Sequence, residues 1–198
     1  TEVLSRLGTN TVRTNPKIKQ SLDRLLRKLG RGDQFLNLVA RYDIRTQFPA
    51  VLQIAEKNSD SALGVKAARL LLGRNQLDLL ASGLRQKDPQ KAGRVAEVLG
   101  NSADGRIGRL LLPVIKDQSL DLAVKRKAAV AVAKTRNGAY ELLKMVRRKQ
   151  LNTGLKDAVA SQLVTAPWKE VKASAVKLFP PAKSRNNKPL PAIGDLVK

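Results

Sequence analysis

The sequence predicts an all-α protein, an α-solenoid of stacked antiparallel helix pairs, and three observations lead there. First, hydrophobic residues make up 42% of the 198 positions, mostly Leu, Ala and Val, while aromatic residues make up 3%. Small aliphatic side chains suit closely packed helices, whereas a β-sandwich draws on more aromatic and β-branched residues. Second, from Pro16 to Leu178 short apolar segments alternate with turn signals. Third, after residue 60 that alternation becomes a repeat.

Taken in order, Asn15 and Pro16 form an N-cap followed by a proline at the first helical position, and the helix they open runs to Leu29 before Gly30. Asp33 caps a second helix bearing Phe35, Leu36, Leu38 and Val39, and a third follows around Phe48, Val51, Leu52, Ile54 and Ala55. Beyond residue 60, Ala68, Ala96, Ala128 and Ala158 each sit at the centre of an apolar helical segment. Each segment is followed by a break and a second apolar helix. These second helices carry Leu77/Leu80/Leu84, Ile107/Leu111/Ile115, Leu142/Leu143/Val146 and Val171/Ala175/Leu178. The breaks are expected near Gly73-Arg74-Asn75, Gly100-Asn101-Ser102, Arg136-Asn137-Gly138 and Thr165-Ala166-Pro167. A helix pair recurring about every 30 residues cannot bury its apolar stripe alone, but stacked pairs share one core, with alanine at the close contacts. A non-repeating helical bundle is the alternative.

The boundaries expected are an N-terminal arm or capping helix over 1–15, the helical repeats over 16–178 and a Pro-rich linker over 179–198. Pro180-Pro181, Pro189 and Pro191 break helical continuity in the last of these. The chain starts at Thr1 and shows no signal peptide, so it reads as an excerpt of a larger protein. The longest apolar stretches, such as Leu110–Ile115, fall far short of the roughly 20 residues a bilayer requires.

Catalytic chemistry is narrowed by what is absent. There is no Cys and no His. Thiolate or imidazole metal sites, haem attachment through C-x-x-C-H and Ser-His-Asp or Cys-His nucleophiles therefore have no residues to build on. No Gly-rich phosphate loop occurs. Asp121, Glu141, Asp157 and Glu170 are scattered acids suited to capping or surface pairing rather than paired-carboxylate catalysis. Arg31-Gly32-Asp33, an integrin-type tripeptide, reads as an ordinary turn between two helices. The expectation is no catalytic residue, no metal and no cofactor in this chain.

The charge is informative. Against 16 acidic residues stand 38 Lys and Arg, a net of +22, and residues 121–198 alone carry +12. Such an excess favours an anionic partner. The candidate anion- or partner-binding patch is Lys125, Arg126, Lys127, Lys144, Arg147, Arg148 and Lys149, on the two helices of one predicted pair. Phosphate or an acidic protein surface is the ligand class expected, and a solvated outer face is the plainer alternative. Tyr140 is the one aromatic nearby, so any nucleic-acid binding would be non-specific and steeply salt-dependent.

These helix pairs resemble HEAT and armadillo repeats. The tail Pro189-Leu190-Pro191-Ala192-Ile193-Gly194-Asp195-Leu196-Val197 after them resembles the lead-in to a c-type cytochrome domain. The combination is similar to planctomycete-type secreted haem-binding proteins, in which a propeller, HEAT-like repeats and a cytochrome follow one another. That resemblance implies an extracytoplasmic, periplasmic or secreted location. It also implies electron transfer by haem c in a fused downstream domain, with no haem ligand in this chain. The expected role is a non-catalytic scaffold and protein-interaction domain, monomeric, beside that module and without a membrane span. The alternative is non-specific binding of a nucleic-acid phosphate backbone. HEAT-like DNA glycosylases resemble the chain in architecture and charge only. Their acid in an aromatic-lined pocket has no counterpart around Trp168 and Glu170, which packing and a first-turn dipole partner explain.

Overall fold

A computed structural model describes Val12 and residues 14–180, the side chain of Lys19 excepted. Most of the expected arm over 1–15 and nearly all of the linker over 179–198, with the tail Pro189–Val197, lie outside the described residues. Within residues 16–178 the chain forms eleven α-helices, and no strand occurs among the described residues. They are α1 (Pro16–Lys28), α2 (Asp33–Tyr42), α3 (Phe48–Lys57), α4 (Ala62–Gly73), α5 (Leu77–Leu84), α6 (Pro89–Ser102), α7 (Ile107–Lys116), α8 (Leu122–Ala133), α9 (Arg136–Arg147), α10 (Lys156–Val164) and α11 (Lys169–Leu178). Short 3₁₀ turns precede α3 at Arg45–Gln47 and α10 at Thr153–Leu155. The fold is all-helical, as the composition predicts.

Local chemistry sets the helix starts. Asn15 accepts from Lys17 N and Ile18 N ahead of Pro16, and Asp88 accepts from Gln90 N and Lys91 N ahead of Pro89. Ser61, Asp121 and Thr135 cap α4, α8 and α9 through their side-chain oxygens. The stops are less conventional. Asp43, Asn75, Ala103 and Lys149 take positive φ just past helix ends, while no described glycine does. At Asn75 and Lys149 both bonds of a Schellman motif close: Gln76 N to Leu71 O and Asn75 N to Leu72 O, then Gln150 N to Met145 O and Lys149 N to Val146 O.

Two expected breaks shift. Gly100-Asn101-Ser102 is the last turn of α6, which ends instead at Ala103 in the left-handed region. Arg136-Asn137-Gly138 is the first turn of α9, because the Thr135 hydroxyl accepts from Gly138 N at 3.2 Å and starts the helix earlier. Glycine at 138 is a packing requirement: a Cβ there would stand 2.2 Å from Val132 O. The breaks at Gly73-Arg74-Asn75 and Thr165-Ala166-Pro167 fall between helices as expected. Gly32 is the N-cap residue of α2, so Arg31-Gly32-Asp33 is the turn joining α1 to α2.

Packing follows a regular order. The first helices of successive pairs touch in sequence, α2 to α4 to α6 to α8 to α10, while α5 touches both α3 and α7, and α9 touches α11. Ala67, Ala68, Leu71 and Leu72 of α4, Ala92, Val95, Ala96 and Leu99 of α6, and Val124, Ala128, Ala131 and Val132 of α8 are all buried. In α10 the central buried side chain is Val159, flanked by Leu155 and Leu163, with Ala158 half-buried beside it. The second helices bury Leu80 and Leu84, Ile107, Leu111 and Ile115, Leu142 and Leu143, then Val171 and Ala175.

Polar bonds between pairs recur with a similar period. Arg74 donates to Ala40 O at 2.5 Å, and Arg106 donates to Leu72 O at 2.6 Å, each across 34 residues. Lys134 reaches Asn101 Oδ1 at 2.6 Å across 33 residues, and Arg69 donates twice to Ser102 O. In each case a cation meets the carbonyl-rich C-terminal end of a neighbouring pair's first helix, where the helix dipole favours positive charge.

A candidate anion-binding cleft

The seven residues of the basic patch do not share one surface. On α8 successive side chains turn about 100° apart, so Lys125, Arg126 and Lys127 point to different neighbours. Lys127 pairs with Glu97 of α6 at 3.0 Å, whereas Arg126 donates to Gly154 O, beside α10, at 3.3 Å. On α9, Lys144 pairs with Glu141 at 2.6 Å and Arg147 donates to Ser174 Oγ of α11 at 3.3 Å. Arg148 is exposed and makes no side-chain hydrogen bond or ion pair among the described residues.

Lys125 and Lys149 come together. They line a cleft of about 390 Å³ with Ile115, Lys116, Asp117 and Gln118 at the end of α7, and Gln150, Leu151, Asn152 and Thr153 after α9. The residue at 125 is only 7% exposed, and its ammonium makes no hydrogen bond or ion pair among the described residues. A buried cation costs free energy unless water, a carboxylate or a ligand compensates it. Its aliphatic stem is covered by protein, and the head reaches solvent through the cleft.

Two devices shape the walls. The Schellman turn after α9 carries Lys149 at φ 57°, a left-handed conformation that costs a non-glycine residue about 1 kcal/mol. Beyond it, Asn152 Oδ1 accepts from Gly154 N at 2.8 Å and holds the loop at the start of the 3₁₀ turn. Gly154 itself rests on Leu122, so a Cβ there would stand 2.9 Å from Leu122 Cδ2. The loop is thereby seated on the first turn of α8.

Asp117 is the one acidic residue of the cleft. Its Oδ1 accepts from Ser119 Oγ at 2.6 Å and from Ser119 N at 3.0 Å. Those two bonds, with smaller contributions from Arg85 and Lys125, hold its carboxyl below the ordinary aspartate range. It therefore stays ionised and offsets one of three lysines, which leaves the cleft with an excess of two positive charges. The α7 C-terminus adjoins the α8 N-terminus, so the helix dipoles largely offset one another and the side chains set the field.

Sequence reasoning missed Lys116, which precedes the patch by nine residues and lies on another helix. It also missed Asp117, Gln118, Gln150, Asn152 and Thr153, ordinary turn residues whose convergence depends on how α7, α8 and the loop after α9 pack. Trp168 is half-buried as the residue before α11, and Glu170 lies 3.9 Å from Arg136. No cluster of three or more potential metal ligands occurs among the described residues. No described helix is long and apolar enough to cross a membrane. The chain matches no protein-family model, no curated protein and no solved structure.

Proposed function

We propose that this chain is a non-catalytic helical-repeat scaffold, an α-solenoid of HEAT/armadillo type, whose C-terminal half docks an anionic partner. The observation that carries the reading is the order of helix contacts, α2–α4–α6–α8–α10, joined by bonds 33 or 34 residues apart. Most of the contacts run between adjacent pairs, with α3 reaching one pair further to α6, so the energetics approach those of a repeat array. Arg69, Arg74, Arg106 and Lys134 are committed to those bonds between pairs. Lys116, Lys125, Arg148 and Lys149, nearer the C-terminus, make no such bonds. No aromatic side chain lines the cleft, which disfavours a single-stranded nucleic acid, and an acidic protein surface is the occupant proposed for that charge. In the arrangement that the tail's resemblance implies, the partner is a neighbouring domain of the same polypeptide.

Titration with poly-L-glutamate at about 150 mM salt tests the docking role. Binding is expected, with affinity falling steeply as salt rises. Absence of binding even at low salt contradicts it.

A further inference from the structure

The two edges of the helix array use their cations differently. One edge holds the turns inside each pair, at residues 74–76, 103–106 and 134–135. There Arg74, Arg106 and Lys134 are all committed to the preceding pair's helix end. The other edge holds the turns between pairs, at 85–88, 117–121 and 148–155. There Arg85, Lys87, Lys116 and Lys149 are exposed and make no side-chain hydrogen bond or ion pair among the described residues.

This second edge carries two clefts in succession. One, of about 290 Å³, lies between the starts of α6 and α8 and is lined by Arg85, Gln86, Lys87, Pro89, Ser119 and Asp121, among others. The next is the Lys125 cleft, between the starts of α8 and α10. The turn after α7 lines both, with Asp117 and Gln118 in the Lys125 cleft and Ser119 and Asp121 in the smaller one. Asp121, exposed at the rim of the first cleft, is engaged as the cap of α8, accepting from Ala123 N at 2.7 Å, and offsets one of the two cations there.

We infer that these two clefts form a continuous track for an extended acidic peptide segment of a partner protein, with one carboxylate seated beside Arg85 and Lys87 and another beside Lys125 and Lys149. Charge complementarity selects the occupant's sign, and the amide side chains select its chemistry. Gln118 and Gln150, whose amides make no hydrogen bond among the described residues, can both donate and accept, which matches a peptide main chain, whereas a phosphate backbone offers acceptors alone. Geometry sets the spacing. Neighbouring helices pack about 10 Å apart, and a peptide in the extended polyproline II conformation advances about 3.1 Å per residue with every third side chain on the same face. Acidic side chains three residues apart therefore reach successive clefts.

The track rests on the reading of the domain as a docking scaffold, and the test separates the two. Two Gly/Ser peptides of equal composition, one with glutamate at every third position and one with contiguous glutamates, are titrated by calorimetry into the full 198-residue chain. The spaced peptide is expected to bind one to one and more tightly than the contiguous one. In K125M and K149G, made singly and together, its affinity is expected to fall by about tenfold or more for the pair, the loss of charge-assisted bonds to one carboxylate. The variant K169M removes a like charge at the start of α11, on the other edge, and is expected to bind as wild type. Circular dichroism verifies the fold of each variant, and K149G alone decides the matter where K125M fails to fold. Equal binding by wild type and K149G, or by the two peptides, overturns the track and leaves the scaffold standing. No binding to wild type sinks both. A blunt DNA duplex that competes for the same residues with higher affinity overturns the peptide assignment in favour of a nucleic-acid track.

Discussion

Gly100 of α6 and Ala131 of α8 meet backbone to backbone: a Cβ on residue 100 would stand 2.6 Å from the Ala131 methyl and 2.7 Å from its α-carbon. Polar rungs flank this close approach, Glu97 to Lys127 and Asn101 to Lys134. The matched order of these residues along both helices shows that α6 and α8 run in the same direction. G100A therefore forces two rigid backbones apart, and we expect a loss of about 1–3 kcal/mol in urea-induced unfolding. Removing the Ala131 methyl as well leaves the α-carbon in the way, so A131G is not expected to rescue G100A. G108A in α7 meets nothing within 4 Å and is expected to stabilise by up to about 1 kcal/mol through helix propensity.

K149G relieves the left-handed backbone at φ 57° and is expected to raise stability by about 1 kcal/mol in the same assay. Unchanged or reduced stability would mean that the lysine stem contributes packing that outweighs the strain.

K125M replaces a lysine whose stem is buried, and whose ammonium makes no hydrogen bond or ion pair among the described residues, by an apolar side chain of similar length. A gain of about 1 kcal/mol in thermal unfolding is expected, together with weaker binding of acidic ligands. A variant that melts lower would show that the ammonium is compensated within the fold.

Asp23 and Asp104 give the fold an acid limit. Burial raises the Asp23 pKa, but hydrogen bonds from Gln47, Thr46 and Arg27 outweigh it and hold the carboxyl low. For Asp104 the hydrogen bond from Arg106 dominates. A pKa depressed on folding contributes stability that is full above the unfolded value, near 3.8, and is lost as pH falls through the folded one. Unfolding midpoints are expected to fall below about pH 4, and D104N is expected to flatten that slope. An identical slope in D104N would contradict the assignment.

Much of the fold was legible because caps and periodicity are local. Asn15-Pro16 and the apolar spacing of α6 and α8 declare themselves in sequence. Several helix stops were not, because the left-handed positions at Asp43, Ala103 and Lys149 carry no glycine signal while Gly64, Gly100 and Gly138 serve close approaches instead. The basic patch was legible in number and not in direction. Consecutive side chains at 125–127 diverge around α8, and the cleft is completed by Lys116 and turn residues from separate segments.

Native-state hydrogen exchange on the full chain tests the repeat architecture most directly. In a stacked array the end pairs open independently, so amides of α10 and α11 should exchange at lower free energy than those of α6 and α8, in steps that follow the pairs. Exchange of all helices through one global opening, with a single free energy from α2 to α11, would contradict it.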